Sequence, residues 1–184
     1  MTFLIISIIV ISLVGTLSHF LYDLSDHNKF IGLFAAVNES TWEHIKIALT
    51  PTLLWSLVDG LIFGTNPNYF LAKTISLIVI ILLMPILFYS HKFITKKDYF
   101  IFNIATFYIV IICSQLAFKY ILKIAPISFI LQYFSIIVLF VIFGFYMILT
   151  LLPIKNFIFK DPLTNKYGYI AHSEEFSITK KKDM

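Results

Sequence analysis

Long, unbroken apolar runs are the feature that most constrains this chain. An α-helix needs about 20 apolar residues to cross the hydrocarbon core of a membrane. Five runs meet this length, at residues 3–22, 45–63, 69–89, 99–118 and 127–152. Because the runs are continuous rather than alternating apolar and polar, they exclude a transmembrane β-barrel. The sequence therefore predicts an all-α fold, a polytopic bundle of about five transmembrane helices.

Composition supports the same class and limits the partners. Charged residues make up 13% of the 184 residues, about half the proportion that is usual in a soluble domain. The net charge of +4 comes from fourteen lysines, with no arginine in the chain. Proteins that read nucleic acids depend heavily on arginine, so we expect no nucleic-acid partner. The lipid bilayer is the expected partner, and the sequence leaves a homo-oligomer open.

The polar segments divide the chain into a transmembrane bundle (residues 1–154) and a short tail (residues 155–184). The first run has no positively charged segment before it and no small-residue cleavage site after it, so we expect a retained helix. Lysines concentrate on the cytoplasmic side of membrane proteins. With the N-terminus outside, only Lys73, Lys119 and Lys123 fall on the outer side. We therefore expect the C-terminus and the tail to lie on the cytoplasmic side of the membrane.

The tail is open to two interpretations. The turn-forming residues 161–165 lie between two short apolar segments, a pattern typical of a small hairpin. Alternatively, the tail is an amphipathic cover packed under the bundle. In either case we expect the lysine run at residues 180–182 to be a disordered end that is attracted to lipid headgroups.

The densest polar cluster joins the first two predicted helices. His19 and Asp23 are four residues apart and share a helix face, and Glu39, Glu43 and His44 lie at the start of the next helix. Packing these helices side by side would bring the five side chains together. Imidazoles and carboxylates are suitable ligands for a divalent metal, of which zinc is the best candidate. We expect the two histidines and Asp23 as metal ligands, and Glu39 or Glu43 as a catalytic base.

A purely structural interpretation competes with this site. Ser40 followed by Glu43 forms a capping box, which would satisfy backbone N–H groups at the start of a helix. The spacing also matches neither H-E-x-x-H nor the E-x-x-H of di-iron bundles. Capping leaves His19, Glu39 and His44 unexplained. If the tail folds back under the bundle, His172 would add a third imidazole.

Two further charged residues lie within the predicted membrane spans. Asp59 is well inside the second helix, and Lys73 begins the third helix at a similar depth. Because an isolated charge is costly there, we expect the two to pair. Their pairing is either structural or one station of a proton or cation path.

Three sequence patterns together resemble a known family. They are G-T-L-x-H-F-x-Y at residues 15–22, V-N-E-S-x-W-E-H-x-K at residues 37–46 with a proline at 51, and D-P-x-T at residues 161–164 followed by Y-G. The chain is similar to a family of small multi-pass membrane proteins from bacteria that has no assigned activity. This resemblance implies a fold and a place in the bacterial cytoplasmic membrane, and it draws attention to the polar cluster, but it indicates no substrate.

The cluster and the membrane fold together favour one functional hypothesis. In this hypothesis, a polar site at the cytoplasmic end of the first two helices binds a divalent metal. The metal would assist the hydrolysis of a lipid-type substrate. Two other classes stay open. One is a small transporter or ion path that connects the cluster with Asp59, and the other is a non-catalytic scaffold subunit.

Overall fold

The structure, a computed structural model, describes residues 1–97 and 99–171. This part of the chain forms five long α-helices: α1 (Thr2–Leu24), α2 (Thr41–Phe63), α3 (Tyr69–Thr95), α4 (Phe100–Lys123) and α5 (Phe129–Leu151). All five are long and apolar enough to cross a membrane. A single 3-10 turn, Ile31–Leu33, interrupts the loop between α1 and α2. The prediction of an all-α, multi-pass membrane protein is confirmed.

The first four helices form a ring in which each helix packs against the next, and α4 closes the ring against α1. The interface between α3 and α4 is the largest. Helix α5 packs on the outside of the ring, against α3, and buries only Ser135, Tyr146 and Thr150. Most of its apolar surface is therefore available to lipid.

Small and polar residues allow the helices to approach closely, as is usual in membrane bundles. A Cβ atom on Gly15 would lie 2.6 Å from the carbonyl oxygen of Ile47 in α2 and 2.7 Å from the ring of Phe107 in α4. No larger residue fits at this contact without displacing a helix. Between α3 and α4, the hydroxyls of Ser76 and Ser114 form a buried hydrogen bond of 2.7 Å.

A buried ion pair joins α2 to α3. The Nζ atom of Lys73 lies 2.5 Å from Oδ2 of Asp59, and the Tyr69 hydroxyl donates a 2.7 Å hydrogen bond to Oδ1. Both charged side chains are essentially inaccessible to solvent. The pairing expected from the sequence is present, and both oxygens of the carboxylate have a partner, as a charge in this environment requires.

The described part of the tail folds back onto the start of α2. The backbone N–H of Trp42 donates a 2.9 Å hydrogen bond to the carbonyl of Ile158, and the Trp42 ring stacks on Phe159 with 4.9 Å between centroids. An isolated antiparallel bridge pairs Lys160 with Tyr167 around a tight turn. The tail thus combines features of both sequence interpretations. His172 and the lysine run at 180–182 lie outside the described residues.

Candidate functional site

Two imidazoles and one carboxylate meet where α1 and α2 come together. The Nε2 atom of His19 lies 3.4 Å from Oε1 of Glu39, and Nε2 of His44 lies 3.7 Å from Oε2 of the same carboxylate. The centroids of the two imidazole rings are 5.8 Å apart. These three side chains form the His–Glu–His cluster. Side-by-side packing of α1 and α2 brings together residues that are 25 positions apart in the chain.

Hydrogen bonding constrains the protonation of this cluster. The Nδ1 atom of His44 lies 3.0 Å from the carbonyl oxygen of Ser40, and since a carbonyl only accepts, Nδ1 must carry the proton. A neutral His44 would then present a lone pair at Nε2 to the carboxylate of Glu39, which also offers only lone pairs. At 3.7 Å these two atoms are too far apart for a direct hydrogen bond.

Residues of the tail hold Glu39 in place. The Glu39 N–H donates a 3.2 Å hydrogen bond to Oδ1 of Asp161, a fully buried residue. The other oxygen of Asp161 accepts from the backbone N–H of Thr164 at 2.8 Å and from its hydroxyl at 2.5 Å. The neighbouring Asn38 donates a 3.0 Å hydrogen bond to the carbonyl of Gly168. The D-P-x-T segment therefore fixes the backbone that carries the central carboxylate.

Glu43 has different partners. Its Oε2 atom lies 2.5 Å from Nζ of Lys46 and accepts a 3.0 Å hydrogen bond from the Val37 N–H. Lys46 is fully buried and also donates to the carbonyl of Gly32 at 2.8 Å. The Ser40 hydroxyl caps α2 by accepting from the Glu43 N–H, as the sequence predicted. The reciprocal half of the capping box is replaced, because the Glu43 side chain extends to Val37 and Lys46.

Asp23, the third predicted metal ligand, pairs with the next turn of the chain. Its Oδ1 atom lies 3.5 Å from Nε2 of His27, and its side chain is 62% exposed. Of the five residues that the sequence assigns to one site, the structure therefore brings three together. It gives Asp23 and Glu43 partners of their own.

The cluster forms the polar end of a cavity of about 210 Å³ between α1, α2 and α4. The rest of its lining is mainly apolar, with Phe20, Phe100, Ile104 and Phe107, and also includes Thr16, Asn103 and Tyr108. Phe20 is 55% exposed and Phe100 is 77% exposed. The cavity, here called the lateral cavity, therefore opens on the outer surface of the bundle between α1 and α4, where lipid would surround the protein.

Glu39 also lines a second cavity of about 210 Å³, between the end of α3 and the tail. This tail-side cavity carries more charged side chains, and Lys92, Lys160, Asp161 and Asn165 are among the residues that line it. Glu39 thus borders both a mainly apolar cavity that opens sideways and a cavity that carries two lysines. Neither Asp59 nor Lys73 lines either cavity.

Comparison with known proteins agrees with the resemblance seen in the sequence. A sequence profile of DUF6512, a family of unknown function, matches residues 1–169. The chain belongs to this family. The match covers all five helices and the tail through the segment that holds Glu39. No curated protein and no solved structure is significantly similar to this DUF6512 protein.

The donor set of this DUF6512 protein can be compared with that of a zinc site. Ligand atoms around a tetrahedral zinc ion are about 3.3–3.6 Å apart, given bonds of about 2.0–2.2 Å. The separations of 3.4 and 3.7 Å in the cluster are close to these values. Within residues 1–97 and 99–171, however, no three His, Cys, Asp or Glu side chains have the arrangement of a metal site. The two imidazoles approach different oxygens of Glu39 instead of a common point.

Sequence reasoning misses two residues that shape the site. Lys46 is counted only among the lysines that set the expected orientation in the membrane, although its spacing of three from Glu43 is that of a helical ion pair. Asp161 is 122 positions from Glu39, and its only signal in the sequence is the D-P-x-T pattern that supports the DUF6512 resemblance.

Proposed function

We propose that this protein hydrolyses a lipid-type amphipathic substrate at the His–Glu–His cluster, with Glu39 as the base that activates water. One observation supports this most directly: Glu39 lines both a mainly apolar cavity that opens sideways and a cavity that carries two lysines. A substrate with an apolar chain in the first cavity and a polar head in the second would place the bond between them beside Glu39.

The chemistry of the three side chains fits acid–base catalysis. The side chain of Glu39 is 38% exposed, so water can reach its carboxylate. His19 and His44 contact its two oxygens and can hold a proton that Glu39 removes from water, or deliver it to a leaving group. Glu43 is occupied in a buried ion pair with Lys46, so we assign the role of base to Glu39 alone.

Zinc-assisted hydrolysis is a second form of the same proposal. Zinc held by the two histidines would activate a bound water molecule. Catalytic zinc sites have three protein ligands. Because Asp23 pairs with His27, Glu39 would be the third ligand and could not also be the base. The geometry therefore supports the metal-free form better.

The lysine distribution supports an orientation with the N-terminus outside and the tail in the cytoplasm. We accordingly propose that the lateral cavity draws its substrate from the inner leaflet of a bacterial cytoplasmic membrane.

The broad apolar surface of α5, which buries only three residues, leaves a face for self-association. Cross-linking through single cysteines placed along α5 would measure this association.

An isotope experiment tests the proposed reaction without a known substrate. The protein is reconstituted into vesicles of extracted bacterial membrane lipid in H₂¹⁸O, and mass spectrometry follows ¹⁸O in the lipids and the released headgroups. We expect incorporation with the wild type and a loss of about 10²–10⁴-fold, the usual order of magnitude for a general base, with Glu39→Gln. Asp23→Asn is the matched control, since it neutralises a carboxylate at the end of α1 that carries His19 but lies outside both cavities.

Two outcomes would contradict the proposal. One is equal incorporation by the wild type and Glu39→Gln. The other is no incorporation by the wild type, with or without added zinc. Metal analysis of protein purified without chelator separates the two forms. Stoichiometric zinc that is lost in His19→Ala and His44→Ala supports the zinc form, whereas an active, metal-free protein supports acid–base catalysis.

A further inference from the structure

A third cavity lies at the opposite end of the bundle from the His–Glu–His cluster. Its volume is about 310 Å³, and it is bounded by the start of α1 and the ends of α2 and α4. Phe3, Phe63 and Phe118 form an aromatic wall, with ring centroids 5.0 Å apart in the first pair and 6.2 Å apart in the second. This surface is suited to an aliphatic chain.

This cavity is lined by a buried side-chain amide whose nitrogen has no hydrogen-bond partner among the described residues. Gln115 is 1% exposed, and its Nε2 atom makes no hydrogen bond to any described residue. Leaving a buried donor unsatisfied costs more than a typical hydrogen bond contributes, and such groups are rare in native proteins. A ligand that presents an acceptor oxygen inside the cavity would satisfy the amide.

Two lysines give the cavity a positive charge. Lys119 and Lys123 follow Gln115 at spacings of four and eight, on the same face of α4, and both line the cavity. No acidic residue is among those that line it. The Nζ atom of Lys119 lies 3.2 Å from the sulfur of Met1. Because this sulfur is uncharged, the contact does not neutralise the lysine.

We propose that this cavity binds an anionic phospholipid from the membrane. The acyl chain would lie along the aromatic wall, the phosphate would be held by Lys119 and Lys123, and an oxygen of the headgroup or ester would accept from Gln115. Lysines at a membrane surface attract anionic lipids without any defined site. The buried amide is what distinguishes a built site from that general attraction. This site is independent of the proposed hydrolysis.

The chain carries its own fluorescent reporter for this site. Trp55 donates a 2.9 Å hydrogen bond to the hydroxyl of Ser7, which lines the cavity. The other of the two tryptophans is Trp42, at the far end of the bundle. Trp42→Phe therefore leaves one reporter beside the cavity, which brominated acyl chains quench on contact.

The experiment compares two brominated lipids with identical acyl chains. The Trp42→Phe protein is reconstituted in phosphatidylcholine vesicles that contain increasing brominated phosphatidylglycerol or brominated phosphatidylcholine. We expect stronger quenching by the phosphatidylglycerol, with saturation at a low mole fraction. Gln115→Leu should lower this preference about fivefold, the equivalent of about 1 kcal/mol for one hydrogen bond. Lys119→Gln should lower it by a similar factor.

Lys97→Gln is the control, because it removes a lysine at the other end of the bundle and should leave the preference unchanged. Far-UV circular dichroism and the Trp55 emission maximum report whether each variant is folded. Equal quenching by the two lipids would overturn the proposal, and so would a preference that survives Gln115→Leu in the folded protein. Loss of the preference on adding inorganic phosphate would assign the site to a free anion and contradict a lipid occupant.

Discussion

The Glu43–Lys46 ion pair gives a quantitative test of the separate roles assigned to the two carboxylates near the start of α2. The side chains are 3% and 0% exposed, and their charged atoms are 2.5 Å apart. Removing one partner of such a pair leaves a buried charge without compensation, which costs about 3–5 kcal/mol. We therefore expect Lys46→Met and Glu43→Gln each to destabilise the protein by about this amount.

The double variant Glu43→Gln/Lys46→Met makes the test sharper. The amide oxygen that replaces the Glu43 carboxylate would still accept from the Val37 N–H, so the carbonyl of Gly32 is the main group that loses its partner. One unsatisfied buried polar group costs about 1–3 kcal/mol. The double variant should thus be more stable than either single variant, although it carries both changes.

Stability can be measured by reversible SDS titration in mixed micelles, followed by circular dichroism. Asp23→Asn provides the comparison at an exposed pair, where the cost should be about 0–1 kcal/mol. If each single variant lowers the free energy of unfolding by less than about 1 kcal/mol, the Glu43–Lys46 pair is not desolvated and the reasoning is refuted. If the loss of stability in the double variant equals the sum of the losses in the two single variants, Glu43 and Lys46 are not coupled. Glu43 would then again be a candidate for the catalytic base.

Three other substitutions test the residues that support the site and the helix packing around it. Asp161→Ala should lower kcat of the proposed hydrolysis about tenfold through loss of one charge-assisted hydrogen bond to Glu39, with partial rescue by Asp161→Asn. Gly15→Ala should cost about 1–3 kcal/mol in the same SDS titration, because its Cβ atom would lie 2.6 Å from the Ile47 oxygen. Burial raises the pKa of Tyr169 from 10.0 to about 12. The neutral phenol therefore stabilises the folded protein fully below pH 10, and this stabilisation is lost as the pH rises through 12. Spectrophotometric titration of the wild type and of Tyr169→Phe measures this pKa.

The helices could be predicted because hydrophobic length alone specifies them, but their ends could not. The second apolar run covers residues 45–63, whereas α2 begins at Thr41, where the Ser40 hydroxyl caps it. The third run ends at residue 89, whereas α3 continues to Thr95. In both cases the helix extends beyond the apolar residues into the headgroup region, where backbone hydrogen bonds and caps, rather than hydropathy, decide where a helix ends.

The candidate site was predictable only in its local part. His19, Glu39 and His44 could be grouped because α1 and α2 are consecutive helices, and the segment between them, residues 25–40, is long enough to let them pack side by side. The roles of Asp23 and Glu43 depended on contacts with His27 and Lys46, which compete for the same carboxylates. Spacing alone does not decide such a competition, because burial sets the strength of each pair.

Two neighbouring carboxylates at the start of α2 thus differ mainly in what surrounds them. Glu43 is enclosed with a fixed lysine, so its charge is compensated and water does not reach it. Glu39 is partly exposed, borders two cavities, and lies beside two imidazoles that can change their charge. A group that exchanges protons needs access to water and a partner that can change its charge, and of these two carboxylates only Glu39 meets both conditions. Because Asp161 holds its backbone, the tail takes part in positioning this group.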